Sequence, residues 1–165
     1  VAAGLAGVIL LVERAWVTDA ERVEAAVYEL ATSVRRSDAP AVLALVTDDV
    51  LVTDGAGSMG GPAGGVKSNP ARSLIEARMA DTMFDFFNAG NVRVTVAPGG
   101  DRASAEMRVY LAGSIDYQGT RFNFATDGSG SDWRLDFRKE GDRWRVERIS
   151  AVRLPRGWRI PGLSM

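Results

Sequence analysis

Asp54 is the side chain in this sequence best placed to do chemistry. A β-branched run, Val50-Leu51-Val52-Thr53, reads as a strand that delivers this carboxylate to the edge of a glycine-rich loop. Two further acids, Asp48 and Asp49, precede the run, so the stretch has the form D-D-x-x-x-x-D. The chain has no histidine and no cysteine. That excludes the Ser-His-Asp triad, the thiolate nucleophile and zinc sites of the usual kind. Without cysteine there is no disulfide, and the redox compartment stays open. Any chemistry rests on Asp, Glu, Tyr, Arg, Lys, Ser or backbone groups. Asp54-Gly55 is also common turn chemistry. Asp54 is therefore either a catalytic candidate or the cap of a strand-to-loop turn, and the turn reading is favoured.

The loop from Gly55 to Pro70, GAGSMGGPAGGVKSNP, is the one low-complexity stretch. A glycine loop after a strand suggests phosphate binding. Lys67-Ser68 lacks the G-x-x-x-x-G-K-[ST] spacing, however, and no helix starts at the lysine. The loop reads instead as a connection or lid. No cofactor motif emerges. The 165 residues fit one domain able to bury a core, and 46% hydrophobic with 25% charged residues is ordinary for a globular chain. A net charge of −1 gives no global attraction to nucleic acid. The arginines between Arg134 and Arg159 alternate with Asp136, Glu140, Asp142 and Glu147, which reads as an ion-paired sheet face. Nucleic acid is thus not an expected partner.

The elements that must position Asp54 begin after an apolar run. VAAGLAGVILLV carries no charge until Glu13 and is shorter than the roughly 20 residues that a bilayer span needs. It is apolar all round, unlike an amphipathic surface helix, and Trp16 suits an interfacial anchor. Residues 1–17 therefore read as an apolar helix, the remnant of a membrane anchor or signal segment. That makes the protein membrane-associated and extracytoplasmic. The alternative is an apolar helix buried against the domain or a partner. Thr18 and Glu21 then form a T-x-x-E capping box, and Ala20, Val23, Val27, Leu30 and Val34 make one buried helical stripe. Ser37 and Asp38 cap a short helix from Ala39 to Val46, with Pro40 in its first turn.

Beyond the loop, Ser68-Asn69-Pro70 reads as a helix start. The apolar spacing of Leu74, Ile75, Met79, Met83, Phe86 and Phe87 predicts a helix that Asn88-Ala89-Gly90 ends. This stripe is core, or in a cupped fold the wall of a cavity. The period then switches to two. Val92, Val94 and Val96 form one strand, and Ala105, Met107, Val109 and Leu111 share a face of the next. Between Asp116 and Gly130, Tyr117, Phe122 and Phe124 suggest an extra strand or a flap. Trp133, Leu135 and Phe137 mark a further strand, Lys139 to Asp142 a hairpin turn, and Trp144, Val146, Ile149 and Val152 the last strand. A phase slip between Val146 and Ile149 predicts a bulge. The domain spans residues 18–154. A tail, 155–165, carries Trp158 and Ile160 and is suited to packing on the domain or a partner.

This order of elements, with RRSDAPAVLALVTDDVLVTDG and FRKEGDRWRVERIS, resembles the nuclear transport factor two-like superfamily, which includes SnoaL-like proteins and ketosteroid isomerases. The resemblance implies an α+β fold in which a curved antiparallel sheet wraps around helices, a cystatin-like cone with an apolar pocket at its open end. It implies dimerisation through the sheet. D-D-x-x-x-x-D is similar to the isomerases' motif whose last acid shuttles a proton, so by resemblance Asp54 is a general base. An apolar pocket would raise its pKa toward the operating pH. The isomerases' oxyanion partners do not carry over. Leu30 stands in the neighbourhood of their helical tyrosine, and Trp133 stands where they place a protonated aspartate, with Asp132 one position off. A one-residue offset points to the opposite face of a strand. The residues expected around the pocket are Met83, Phe87, Tyr110, Tyr117 and Trp133. The expected function is a membrane-tethered or exported, non-catalytic binding or assembly domain with a small apolar pocket, which as a further alternative is a subunit of a larger membrane complex. Its partners would be a second copy, or another protein, at the sheet, the N-terminal helix or the Trp158 tail. The alternative is a cofactor-independent isomerase, cyclase or hydrolase-like enzyme with Asp54 as base.

Overall fold

The chain enters the fold at a reciprocal cap. Glu21 N donates to Thr18 Oγ1 at 3.2 Å, and Thr18 N donates to Glu21 Oε2 at 2.8 Å. This is seen in a computed structural model that describes residues 17–53, 58–60, 69–126 and 128–154. The apolar run 1–16, Asp54, most of the glycine loop and the tail from Pro155 lie outside the described residues. Helix α1, Asp19–Arg35, buries Val23, Val27, Leu30 and Ser33 on one stripe. Ser37, at a φ of 52°, reverses the chain into α2, Ala39–Leu45, where Asp38 accepts from Ala41 N at 3.1 Å.

Among the described residues seven strands form one sheet. They are β1 Val46–Thr53, β2 Ser58–Gly60, β3 Thr82–Val96, β4 Arg102–Tyr117, β5 Thr120–Ala125, β6 Ser131–Glu140 and β7 Arg143–Arg153. Helix α3, Pro70–Asp81, lies between β2 and β3 in sequence. The spatial order is β2-β1-β7-β6-β4-β3, and β5 folds back as a hairpin on the far half of β4. Every pairing is antiparallel except β1 with β7, which is parallel. The parallel pair arises because α2 feeds directly into β1 beside the last strand. The sheet is curved and open, and its inner face holds the helices, as a cone.

Bulges supply the bends. In β7 the partners jump from Arg148 with Asp136 to Val146 with Phe137, which leaves Glu147 as the extra residue where the phase slip predicts one. In β1 the pairing skips from Val46 to Leu51, so Asp48 and Asp49 stand out of the ladder on the exposed side. The main core joins Val23, Val27, Val42, Val46, Leu135 and Phe137, all at most 3% exposed.

One helix is shorter than its apolar spacing predicts. Helix α3 stops at Asp81, and Thr82 to Val96 is a single 15-residue strand. Met79, Met83, Phe86 and Phe87 fit a helical period, but Thr82 to Phe87 is rich in aromatic and β-branched residues that favour a strand. Twelve register partners on β4 decide the competition. Asn88-Ala89-Gly90 is therefore no helix end. Asn91, at a φ of 53°, sits instead where β3 slips register between Gly90 and Arg93.

Candidate functional site

The space between the helices and the inner sheet face is a cavity of about 430 Å³, within the usual range for small-molecule pockets. Val27, Leu30, Ala31 and Val34 of α1 form one wall, and Leu74, Ile75, Arg78 and Met79 of α3 another. The floor is the inward register of β4, with Met107, Val109, Leu111 and Ile115. Phe122, Asn123 and Phe124 close one side from β5, so the excursion between β4 and β6 is a strand that walls the cavity. Phe84 packs edge-on against Phe87, with centroids 5.4 Å apart, and against Phe124 at 5.9 Å.

Trp133 is fixed in this wall by a buried polar chain. Its indole Nε1 donates to Ser131 Oγ at 2.8 Å, and that hydroxyl donates to the Val109 carbonyl at 3.1 Å. Ser131 is 0% exposed, so these bonds are what make its burial tolerable. Asp132, one residue away, faces the other side of the sheet. There Arg108 Nε and Arg153 Nε each donate to it at 2.8 Å. The Arg108 guanidinium, with help from Arg153, holds the Asp132 carboxyl below its ordinary value. The one-residue offset thus separates an indole in the cavity from an ionised carboxylate outside it.

Phe87 and Trp133 lie in the cavity wall, and Leu30 faces it too. Met83 does not. It is 62% exposed because β3 is a strand at this point and the residue falls on the outer register. Tyr110 also faces outward, opposite Asn88, since Val109 and Leu111 on either side point inward. The Tyr117 side chain and Asp54 lie outside the described residues. Arg78, Thr82 and Asn123 are wall residues that the sequence reading missed. Arg78 was accessible to it, since it follows Leu74 and Ile75 by four and three positions on one helix face. Among the described residues no group of three or more acidic side chains is placed to hold a metal ion. No helix among them is long and apolar enough to cross a membrane.

No protein-family model matches this sequence, and a comparison with curated proteins finds no match. Solved structures do match. A ketosteroid isomerase-like protein from Erwinia carotovora atroseptica is 19% identical with a TM-score of 0.59, covering 84% of this chain and 100% of its own. An NTF2-like protein from Cytophaga hutchinsonii is 11% identical with a TM-score of 0.59, covering 80% and 95%. An NTF2-like protein with a cystatin-like fold from Novosphingobium aromaticivorans is 24% identical with a TM-score of 0.52, covering 92% and 89%. Likeness at this level of identity speaks for architecture, and the architecture is the one built above from helices, bulges and register. The fold of this chain is the NTF2-like, cystatin-like α+β cone.

Proposed function

We propose that this domain binds a small apolar molecule in its cone and does so without transforming it. The observation that carries the reading is the wall itself. Leu30 and Trp133 occupy the places where the isomerase resemblance would require a tyrosine and a protonated aspartate, and both face the cavity. An apolar wall rewards burial of an apolar ligand, at about 25 cal/mol for each Å² removed from water. At those two places neither Leu30, which has no donor, nor Trp133, whose indole N–H is given to Ser131, serves a developing oxyanion. The apolar run before Val17 would tether the domain to a membrane on the extracytoplasmic side. The sheet face, that run or the Trp158 tail would join it to a second copy or to a partner protein.

The test uses a neutral apolar dye such as Nile red, titrated into the protein and into Ala31→Trp, in which a bulky ring enters the cavity from α1. Saturable binding of one dye per chain is expected, and it should be lost in the variant while circular dichroism stays unchanged. Absence of saturable binding, or binding indifferent to Ala31→Trp, would sink the reading. The enzymatic alternative draws on one observation. Val52 lines the cavity, so the strand whose sequence runs on to Asp54 borders the apolar space. That alternative requires turnover of a bound substrate that disappears in Asp54→Asn while dye binding persists.

A further inference from the structure

We propose that β5 is the gate of the cavity, a strand that swings off β4 to admit a ligand and closes again over it. The inference rests on the reading of the cavity as a ligand site and adds the route by which that site fills. Phe122 locates the route. It lines the cavity and is also 41% exposed, whereas no other large apolar side chain of the described wall is among the exposed ones. The apolar space therefore meets solvent at β5.

This strand is also the wall element held least. Among the described residues β5 pairs with β4 alone, and its other edge carries no strand. None of its residues belongs to the main core, and Phe124 is its one contribution to the small cluster of Ala89, Val109 and Leu111. The Asp116–Arg121 ion pair across the β4–β5 hairpin is solvated on both sides and holds it weakly. The walls supplied by the helices differ, since Val27 and Leu30 of α1 and Met79 of α3 are buried in the main core. Segments with few buried apolar contacts open at a lower free energy than the whole domain.

The connections let β5 leave while its neighbours stay. At one end the tight turn Gln118-Gly119, with φ of 51° and 78°, keeps it joined to β4 and serves as the pivot. At the other end Thr126 clasps Leu111. Its N–H donates to the Leu111 carbonyl at 2.8 Å, and its Oγ1 accepts from Leu111 N at 3.0 Å. Ser131 of β6 already pairs with Val109. Residues 127–130 thus lie opposite Tyr110 alone, a length of chain that lets the end of β5 move without drawing β6 after it. Release of the clasp carries Phe122 and Phe124 out of the wall and leaves the main core intact.

The experiment exploits a chain with no cysteine of its own. Ser114→Cys combined with Asn123→Cys places one pair directly across β4 and β5, on the outward register of Met83 and away from the cavity. Antiparallel partners stand about 4.5–5.5 Å apart at Cα, within the span of a disulfide. Stopped-flow mixing with Nile red reads the rates of binding and release, and equilibrium titration reads Kd. Oxidation of the pair should slow both rates by about tenfold or more at unchanged Kd, and dithiothreitol should restore them. Thr126→Val, which removes the side-chain half of the clasp, should speed both rates at unchanged Kd, because the clasp is made equally in the free and the filled protein. A strand that served only as wall would change affinity instead. Equal rates in the oxidised and reduced pair, or a change confined to Kd, overturn the gate and leave the cavity reading standing. If the oxidised pair does not fold, Thr126→Val decides, and unchanged rates in it overturn the gate. Absence of saturable dye binding by the unaltered protein overturns the cavity reading, and the gate falls with it.

Discussion

A Cβ added at Gly113 would collide with the Met83 carbonyl oxygen and come within 3.0 Å of the Phe124 ring. Gly113 sits on β4 opposite Phe84 and Phe124, where β3 slips register before Phe86, so the two strand backbones approach with no room for a side chain. Gly113→Ala should therefore cost about 1–3 kcal/mol, the usual penalty of overpacking. Urea denaturation of the two proteins checks it, and a midpoint unchanged at constant slope would contradict the close approach. Gly113 was not legible in the sequence, because its constraint comes from a bulge on another strand. Trp133 and Asp132 were legible, since strand alternation alone separates an inward ring from an outward acid. The same alternation, already assigned to Val109 and Leu111, should have turned Tyr110 outward. Met83 failed for a different reason, because its face depends on whether its backbone is helix or strand.

At the scale of elements, Asn69 joins the helical layer to the sheet. Its Oδ1 accepts from Ala71 N at 2.9 Å to cap α3, and its Nδ2 donates to the carbonyls of Val50 at 2.9 Å and Asp48 at 3.0 Å. These are backbone groups at the irregular part of β1, where the ladder does not satisfy them. Asn69→Ala should cost about 1–2 kcal/mol, a lost cap plus lost tethers. Asn69→Asp keeps the acceptor but not the donor, and should recover only the capping part. Chemical denaturation of both variants separates the two contributions, and an Asn69→Asp as stable as the parent would refute the tether. Arg72, one turn on, donates to the Leu43 carbonyl at 3.2 Å and to that of Thr47 at 3.3 Å, which fixes α3 against the end of α2. The start of α3 was readable from Asn69-Pro70, and the first helix from Thr18 and Glu21, because caps are local chemistry. The end of α3 was not, since the Met and Phe spacing satisfies both periods until β4 supplies its partners. The parallel pairing of β1 with β7 joins residues about a hundred positions apart, and nothing local encodes it.

Over the whole molecule, the outer sheet face is a lattice of ion pairs that crosses four strands. Arg138 on β6 donates to Asp49 at 2.9 and 3.1 Å and to Glu140 at 2.9 Å, which ties one of the protruding acids of β1 to the centre of the sheet. Glu147, the bulged residue of β7, takes Arg102 and Arg138. Asp132 bridges Arg108 and Arg153. Apart from this face, Lys139 reaches Asp19 at 2.9 Å, joining β6 to the start of α1. Carboxylates thus oppose Arg102, Arg108, Arg134, Arg138 and Arg153 on this face. The ion pairs also set the acid response. Arg138 holds the Asp49 carboxyl below its ordinary value, Arg108 does so for Asp132, Lys139 for Asp19, and Arg121 for Asp116. A carboxylate whose folded-state pKa is depressed binds protons more weakly in the folded chain than in the unfolded one. Its contribution is complete above the ordinary aspartate value of 3.8, declines as the pH falls through that value, and is gone below the folded-state pKa. These groups are largely solvated, so each contributes little, and the effect is their sum. The melting temperature should accordingly stay level from neutral pH to well above 3.8 and then fall continuously as acid is added. Scanning calorimetry across that range checks the course, and a melting temperature that does not drop in acid would remove the lattice from the account of stability. Arg138→Met should move the Asp49 titration back toward 3.8, readable from its side-chain carboxyl carbon by NMR, and should leave that of Asp132 in place, because Asp132 is paired with Arg108 and Arg153 instead.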